Sequence, residues 1–325
     1  MHTIVTPLGF DLSFTTAYGS TTRKENKLLT ITDGKHYGFG EILLVDPSSP
    51  RYPLQESQIR KELARWQQGR MPSDRQVCAA LETAIADYAM RRDKTAINPT
   101  PAISYRTLSI TDDLDAGIAS LAKAPKVKIK ASADERYLCA VLGRLEGRDL
   151  IVDPNCSWTP QHALRMLPIL VDRVAIVEQA FPADMNLRAR QPAYRDEIKA
   201  WRRVADAYRD EGVALYADES IIDRMDLDAL RPLIHGVVVK IEKQGGLRRT
   251  RQILRDARAR GLGTTLGSNL VSSLGISAAS TLVDLADHID LDGATFIAED
   301  PFAGTHLAPD GKLIYDARVG IAQPR

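Results

Sequence analysis

The sequence predicts an α/β protein, a TIM-type (β/α)8 barrel of parallel strands behind a small N-terminal α+β unit. Two observations carry this. From about residue 101 the chain alternates apolar, β-branched runs with amphipathic stretches, and eight such runs can be counted. No G-x-G-x-x-G follows any of them, which argues against an open dinucleotide-binding sheet and leaves the doubly wound sheet as second choice.

In the N-terminal unit, Lys27 to Thr32 reads as a strand, Asp33-Gly34-Lys35 as a turn, and His36 to Glu41 as the returning strand of a hairpin. A helix is expected from about Glu56 to Gln68. A second should start near Ser73 as N-cap and carry Val77, Leu81, Ala84, Ile85 and Tyr88 on one face. Asn98-Pro99-Thr100-Pro101 ends the helical region. The expected barrel strands are Ile103–Ile110, Val127–Lys130, Leu150–Asp153, Val174–Glu178, Val213–Asp218, Gly236–Ile241, Gly263–Gly267 and His288–Asp292. Helical stretches include Tyr137–Leu145, Ala163–Leu170 and Leu247–Arg260. The crossover from Phe181 to Glu211 is long enough to hold an inserted helix. The expected domains are therefore 1–98, 99–297 and a C-terminal segment, 298–325, that packs back on the first unit.

Composition narrows the function classes. Net charge is +1 with no strongly basic stretch, so nucleic acid and anionic membranes are poor partners. No apolar run is long enough to span a bilayer, and Met1 to Phe14 lacks the layout of a secretion signal. Cys78, Cys139 and Cys156 are widely spaced and form no CxxC pair, which suits a reducing cytoplasm.

Chemistry is expected at the C-terminal rim of the barrel. The second strand alternates Lys126, Lys128 and Lys130 with Val127 and Ile129, so the lysines share one face. That pattern fits an edge strand in water, or an enclosed site with negative charge opposite. The next three strands end at Asp153, Glu178 and Asp218. Any one of these alone reads more readily as a helix N-cap. Together they call for a cation, and oxygen-only donors favour Mg²⁺ or Mn²⁺. The sixth strand runs into Lys240, which in an eight-strand barrel lies opposite Lys130. Two amines on opposite faces of a carbon acid suit removal and return of a proton.

The ordered set K-x-K (Lys128, Lys130), D-x-N (Asp153, Asn155), E-Q (Glu178, Gln179), A-D-E-S (Ala217 to Ser220) and K-x-x-K-x-G-G (Lys240 to Gly246) resembles the enolase superfamily, in its muconate-lactonizing subgroup. The resemblance spans essentially the whole chain. It implies a capping domain over a modified barrel, with Asp153, Glu178 and Asp218 as Mg²⁺ ligands. It implies Lys130 and Lys240 as the acid/base pair and Lys128 as the cation beside the substrate carboxylate. The shared first step is abstraction of a proton α to a carboxylate, giving an enolate held on the metal. A lysine base must be neutral, and burial beside a metal and another lysine is expected to lower its pKa.

Asp290 and Asp292, ending the eighth strand, are similar to the D-x-D of dipeptide epimerases, where two aspartates hold the free α-ammonium of a dipeptide. Asn269 stands where alanyl-glutamate epimerases often have Met. The loop Ser13 to Glu25 does not clearly supply the arginine those enzymes carry there; Arg23 and Lys24 are nearby, and Arg23 is taken as the candidate. The loops Phe14–Glu25 and Ser48–Gln55 are expected to set side-chain preference. The leading reading is a Mg²⁺-dependent dipeptide epimerase with a small-molecule dipeptide substrate; self-association into a homo-oligomer is left open. An o-succinylbenzoate synthase or muconate cycloisomerase is the alternative within the subgroup, and a catalytically silent binding barrel is the alternative outside it.

Overall fold

The computed structural model describes residues 1–45, 54–316 and 318–325. Of the expected specificity loop Ser48–Gln55, residues 48–53 lie outside them. The chain opens with β1 (His2–Thr16), β2 (Gly19–Thr32) and β3 (Tyr37–Ile42), an antiparallel sheet in the order β1-β2-β3. The stretch expected as a loop from Phe14 to Glu25 is the far end of the β1–β2 hairpin, with Phe14 paired to Thr21 and Thr16 to Gly19. A register shift between Asp11 and Phe14 marks a bulge there, and bulges re-aim side chains.

Helices α1 (Glu56–Gln67) and α2 (Arg75–Arg92) cover this sheet. Asp74, not Ser73, caps α2: its side chain accepts from Val77 N at 3.0 Å. Ser73 is drawn back to α1, where its N and Oγ donate to Glu62. Val77, Leu81, Ala84 and Tyr88 are buried as expected, whereas Ile85 is 37% exposed, having rotated off the apolar face. The sheet lies unusually close to α2 because Gly38 and Gly40 lack side chains. A Cβ on Gly40 would stand 1.9 Å from Ala80 O.

The barrel follows: β4 (Arg106–Leu108), β5 (Lys126–Lys130), β6 (Asp149–Asp153), β7 (Ile176–Glu178), β8 (Ala214–Ala217), β9 (Gly236–Val239), β10 (Gly263–Gly267) and β11 (His288–Asp290). They form one parallel sheet in sequential order. It closes where Tyr105 N donates to Ile289 O at 2.8 Å and Leu291 N to Ser104 Oγ. Intervening helices such as Pro160–Leu170 and Leu247–Ala259 pack on the outward residues, including Val127, Ile129 and Val152, all fully buried. The long crossover contains an extra short helix, Met185–Arg188, before Arg195–Asp210. Asn186 and Arg190 pin it to Asp226 at 2.9 and 2.7 Å.

Inside, the lower lumen is filled by Tyr105, Ile151, Ile176, Tyr216 and Val238. Tyr216 occupies room left by two glycines, since a Cβ on Gly236 or Gly263 would fall within 2.3 Å of its ring or hydroxyl. Lys126 belongs to this lower layer. It pairs with Asp149 at 3.1 Å and lies over the Tyr105 ring. Because β5 sits between β4 and β6, the edge-strand reading fails for Lys126 as well.

After β11 the chain makes two short antiparallel pairs, Phe302–Ala303 with Gln323–Pro324 and His306–Leu307 with Leu313–Ile314. This tail meets the N-terminal unit through Asp87 on α2, which accepts from Phe39 N at 2.9 Å and Ile321 N at 2.6 Å. The Phe39 and Phe302 rings meet edge to face, 5.8 Å apart.

Candidate active site

The upper lumen is charged. Alternation on β5 sends Lys128 and Lys130 inward, and both are buried. Lys128 Nζ reaches Glu178 Oε1 at 2.7 Å, Asp290 Oδ2 at 2.9 Å and Asp153 Oδ2 at 3.1 Å. Lys130 Nζ lies 2.5 Å from Asp153 Oδ2, beside β5 on β6. Across the lumen, Lys240 Nζ lies 2.5 Å from Asp218 Oδ2. The structure therefore brings Lys128, Lys130, Lys240, Asp153, Glu178, Asp218 and Asp290 into one buried cluster.

Two sequence-derived strand ends differ. The β8 ladder stops at Ala217 and β11 at Asp290. Asp218 and Asp292 thus sit on the turns that follow, and strand alternation is not what orients Asp292. Asp292 begins a turn of 3-10 helix, Gly293–Phe296, and its Oδ2 accepts from Thr107 N at 2.5 Å. It remains next to Asp290, whose charge, after burial, helps push the Asp292 carboxyl up to about 7.

The remaining assignments fall outside the lysine cluster. Asn269 is buried and donates to Glu242 Oε2 at 3.2 Å. Arg23 is exposed on β2, where it pairs with Asp11 and Glu25; the structure does not bring it to the site. Phe14 from the hairpin comes instead, with Lys130 Nζ 5.8 Å above its ring and Phe296 against it at 4.6 Å.

Electrostatics set the protonation of the cluster. Burial works against the charged form of Lys128, but Asp290, Glu178 and Asp153 outweigh it and raise its pKa well above normal. Burial also opposes ionisation of Asp153, yet Lys130 and Lys128 hold it down at about 2. Asp218 is held far below the carboxylate range by Lys240 and Lys243 in spite of its burial. Glu178 goes the other way, pushed up to about 8 by burial against the pull of Lys128. At Lys240 burial works against the charged form, but the Asp218 carboxylate beside it outweighs burial and raises the pKa above the ordinary lysine value.

Among the described residues, no three Asp, Glu, His or Cys side chains are already gathered around one ion position. Ammonium groups stand against the oxygens that such an ion needs. The donor chemistry nonetheless fits a hard divalent cation, because Asp153, Glu178 and Asp218 offer only oxygen and Glu178 Oε2 is buried with no hydrogen-bond partner.

Residues without a role in the sequence reading also stand here. Gln179, held at φ 42°, accepts from Asp218 N at 2.7 Å and donates to Ser220 Oγ and Phe181 O, which fixes the turn after β8. Glu219 is buried with an unpartnered Oε2. Lys243 binds Asp218 Oδ1 at 2.5 Å. The signal for Lys243 was its place in K-x-x-K, one helical turn after Lys240.

An eight-strand parallel barrel with lysines and carboxylates facing one another across its C-terminal rim places the chain among TIM-type barrels whose site lies at the strand ends. Residues 112–321 match the enolase C-terminal domain-like family, and the chain belongs to the enolase superfamily. It is 32% identical over 235 residues to the L-Ala-D/L-Glu epimerase of Escherichia coli, covering 68% of each chain. It is 40% identical over 153 residues to an enolase superfamily member of Dictyostelium discoideum, covering 45% of this chain and 35% of that one. The chain thus spans about a third to a half of the length of several curated relatives it matches. Among solved structures, it superposes with a TM-score of 0.79 on a dipeptide epimerase from Methylococcus capsulatus complexed with Mg and L-Arg-D-Lys, at 21% identity and covering 100% and 99% of the two chains. That likeness establishes the fold. No helix among the described residues is long and apolar enough to cross a membrane.

Proposed function

We propose that this chain is a Mg²⁺-dependent dipeptide epimerase that inverts the α-carbon of the C-terminal residue by proton transfer between two lysines. One observation carries the reading. Lys130 and Lys240 enter the lumen from opposite sides, and each rests on a carboxylate of a neighbouring strand end. A substrate carbon between them has one amine on each face. One lysine, as neutral amine, takes the α-proton; the other, as ammonium, delivers a proton to the opposite face. No net proton is consumed, and the configuration is reversed. Exchange of the lysine protons with water makes the step visible as deuterium uptake.

Asp153, Glu178 and Asp218 are the residues to hold Mg²⁺. When bound, the ion supplies positive charge where the substrate carboxylate accumulates negative charge. For that the lysine ammonium groups must give up part of their hold on the same oxygens. Lys128 is placed to add a fixed charge to the same end of the substrate. Asp290, with Oδ1 buried and unpartnered, and Asp292 beside it are the acceptors for the dipeptide ammonium. The E. coli relative and the M. capsulatus neighbour, named for dipeptide chemistry, support the substrate class.

The test is a screen of L,L-dipeptides in deuterated water by mass spectrometry, with Mg²⁺ and then with chelator. Uptake of one deuterium at the C-terminal α-carbon, lost on chelation, is expected. No uptake across a broad library sinks the reading. Turnover of an ammonium-free carboxylate substrate unaffected by Asp292→Asn favours the cycloisomerase or synthase reading instead.

A further inference from the structure

Two lysines, not one, stand on Asp218. Lys240 Nζ holds Oδ2 at 2.5 Å, and Lys243 Nζ holds Oδ1 at 2.5 Å. Lys243 also donates to Asp218 O at 2.5 Å and Val238 O at 3.0 Å. These are the three hydrogen bonds an ammonium can donate, so Lys243 is fully committed. Among the described residues, Lys240 Nζ makes a single contact at hydrogen-bond distance, with Asp218.

The K-x-x-K-x-G-G stretch explains the arrangement. Lys240 is still extended (φ −130°, ψ 138°), and the single turn Ile241–Gln244 begins after it. Residues three apart lie on one side of a helical turn, so both ammonium groups face Asp218. The turn is locked by Lys240 N to Gln244 Oε1 at 2.9 Å and by Gln244 Nε2 to Ile221 O at 2.7 Å. It ends at Gly245, whose φ of 86° suits glycine. The β8–β9 ladder has already stopped at the Ala217–Val237 pair. Lys243 therefore ties the two strand ends together beyond the reach of backbone pairing. The opposite side of the lumen repeats the plan, since Asp153 Oδ2 receives Lys130 at 2.5 Å and Lys128 at 3.1 Å.

A lysine that transfers protons must leave its resting carboxylate. If it were the sole partner, its departure would leave Asp218 with no group to fix its orientation and, until an ion is bound, with a buried unpaired charge, which is costly. We propose that Lys243 is a positioning residue that keeps Asp218 compensated and in place while Lys240 moves to the substrate. This rests on the function proposed above, which assigns Asp218 to the metal and Lys240 to proton transfer.

The test uses the full-length Lys243→Met and Lys243→Gln variants. Mg²⁺ affinity is measured by calorimetry without substrate, thermal stability by melting, and deuterium uptake separately from the two epimers of one dipeptide. Mg²⁺ binding is expected to weaken about 10- to 100-fold, as for other residues that orient a metal ligand. Uptake should fall unequally, more for the epimer whose α-proton faces Lys240. Unchanged Mg²⁺ affinity, or equal loss from both epimers that simply tracks melting, overturns the inference. Failure of both variants to fold also overturns it, in favour of a purely structural lysine. If the wild-type chain neither binds Mg²⁺ nor exchanges any dipeptide, the proposed function itself fails and the inference falls with it.

Discussion

Lys128 Nζ stands 2.9 Å from Asp290 Oδ2, joining the second barrel strand to the eighth across the lumen, past β4 between them. The same ammonium also contacts Glu178 and Asp153, so one lysine faces three buried acidic side chains. Lys128→Met should therefore destabilise the fold by about 3–5 kcal/mol at neutral pH, the usual cost of breaking a buried pair. Removing the cation raises the pKa of the carboxylates it faced. A group with a raised folded pKa stabilises at low pH and loses that contribution as pH rises through it. The variant should accordingly regain stability as pH is lowered toward 5, the opposite of ordinary acid unfolding. Urea melts at two pH values check this, and a deficit that persists on acidification contradicts it.

Asp292 leads to a kinetic expectation. Burial, with Asp290 beside it, pushes its carboxyl up to about 7, so it gains a proton as pH falls below neutrality. A neutral acid attracts an ammonium less than a carboxylate does. The KM for a dipeptide should rise from about pH 7 to about pH 5.5 while kcat follows other groups, and Asp292→Asn should show a high KM without that slope. Loss of one charge-assisted hydrogen bond predicts a change of about tenfold or more. A flat wild-type KM over this range removes Asp292 from ammonium binding.

The barrel was legible because parallel strands buried on both faces leave apolar runs that end in functional residues. Lys130, Lys240, Asp153, Glu178 and Asp218 could be placed by strand counting alone, since the strand order is sequential. Arg23 and Asn269 could not. Their side chains depend on the hairpin bulge and on where buried acids such as Glu242 lie, and neither follows from spacing. The charge partner of Lys240 was out of reach of spacing for a related reason. Burial alone lowers a lysine pKa, but Asp218 at 2.5 Å from Lys240 reverses the sign, and a distance of that kind is a tertiary fact.

The approach of β3 to α2 is checked by Gly40→Ala. The added Cβ would fall 1.9 Å from Ala80 O, on rigid helical backbone rather than a movable side chain. Either the strand or the helix must shift, and overpacking of this kind costs about 1–3 kcal/mol or more. A fall in melting temperature of about 1.5 °C per kcal/mol is expected for a chain of this size, at about 2.1 cal/mol/K of unfolding entropy per residue. An unchanged melting temperature indicates that the sheet can slide off the helix at little cost.

Glu242 carries the last prediction. It is fully buried, its Oε2 accepts from Asn269 Nδ2 at 3.2 Å, and burial together with the nearby Glu41 raises its carboxyl to about 7. In the unfolded chain the same group titrates near its ordinary value of about 4.3. The folded state thus binds a proton that the unfolded state releases between those values. The stabilisation is complete below the unfolded pKa and is lost as pH rises through the folded one. Folding stability of the wild type should decline from about pH 4.5 to about pH 7.5, with an upper bound of about 3–4 kcal/mol from this group at 1.36 kcal/mol per pKa unit. Glu242→Gln keeps an acceptor for Asn269 and cannot ionise, so it should flatten that slope and equal or exceed the wild type above neutrality. Chemical denaturation across the range decides it: identical slopes for the two proteins mean that Glu242 stays ionised in the folded state.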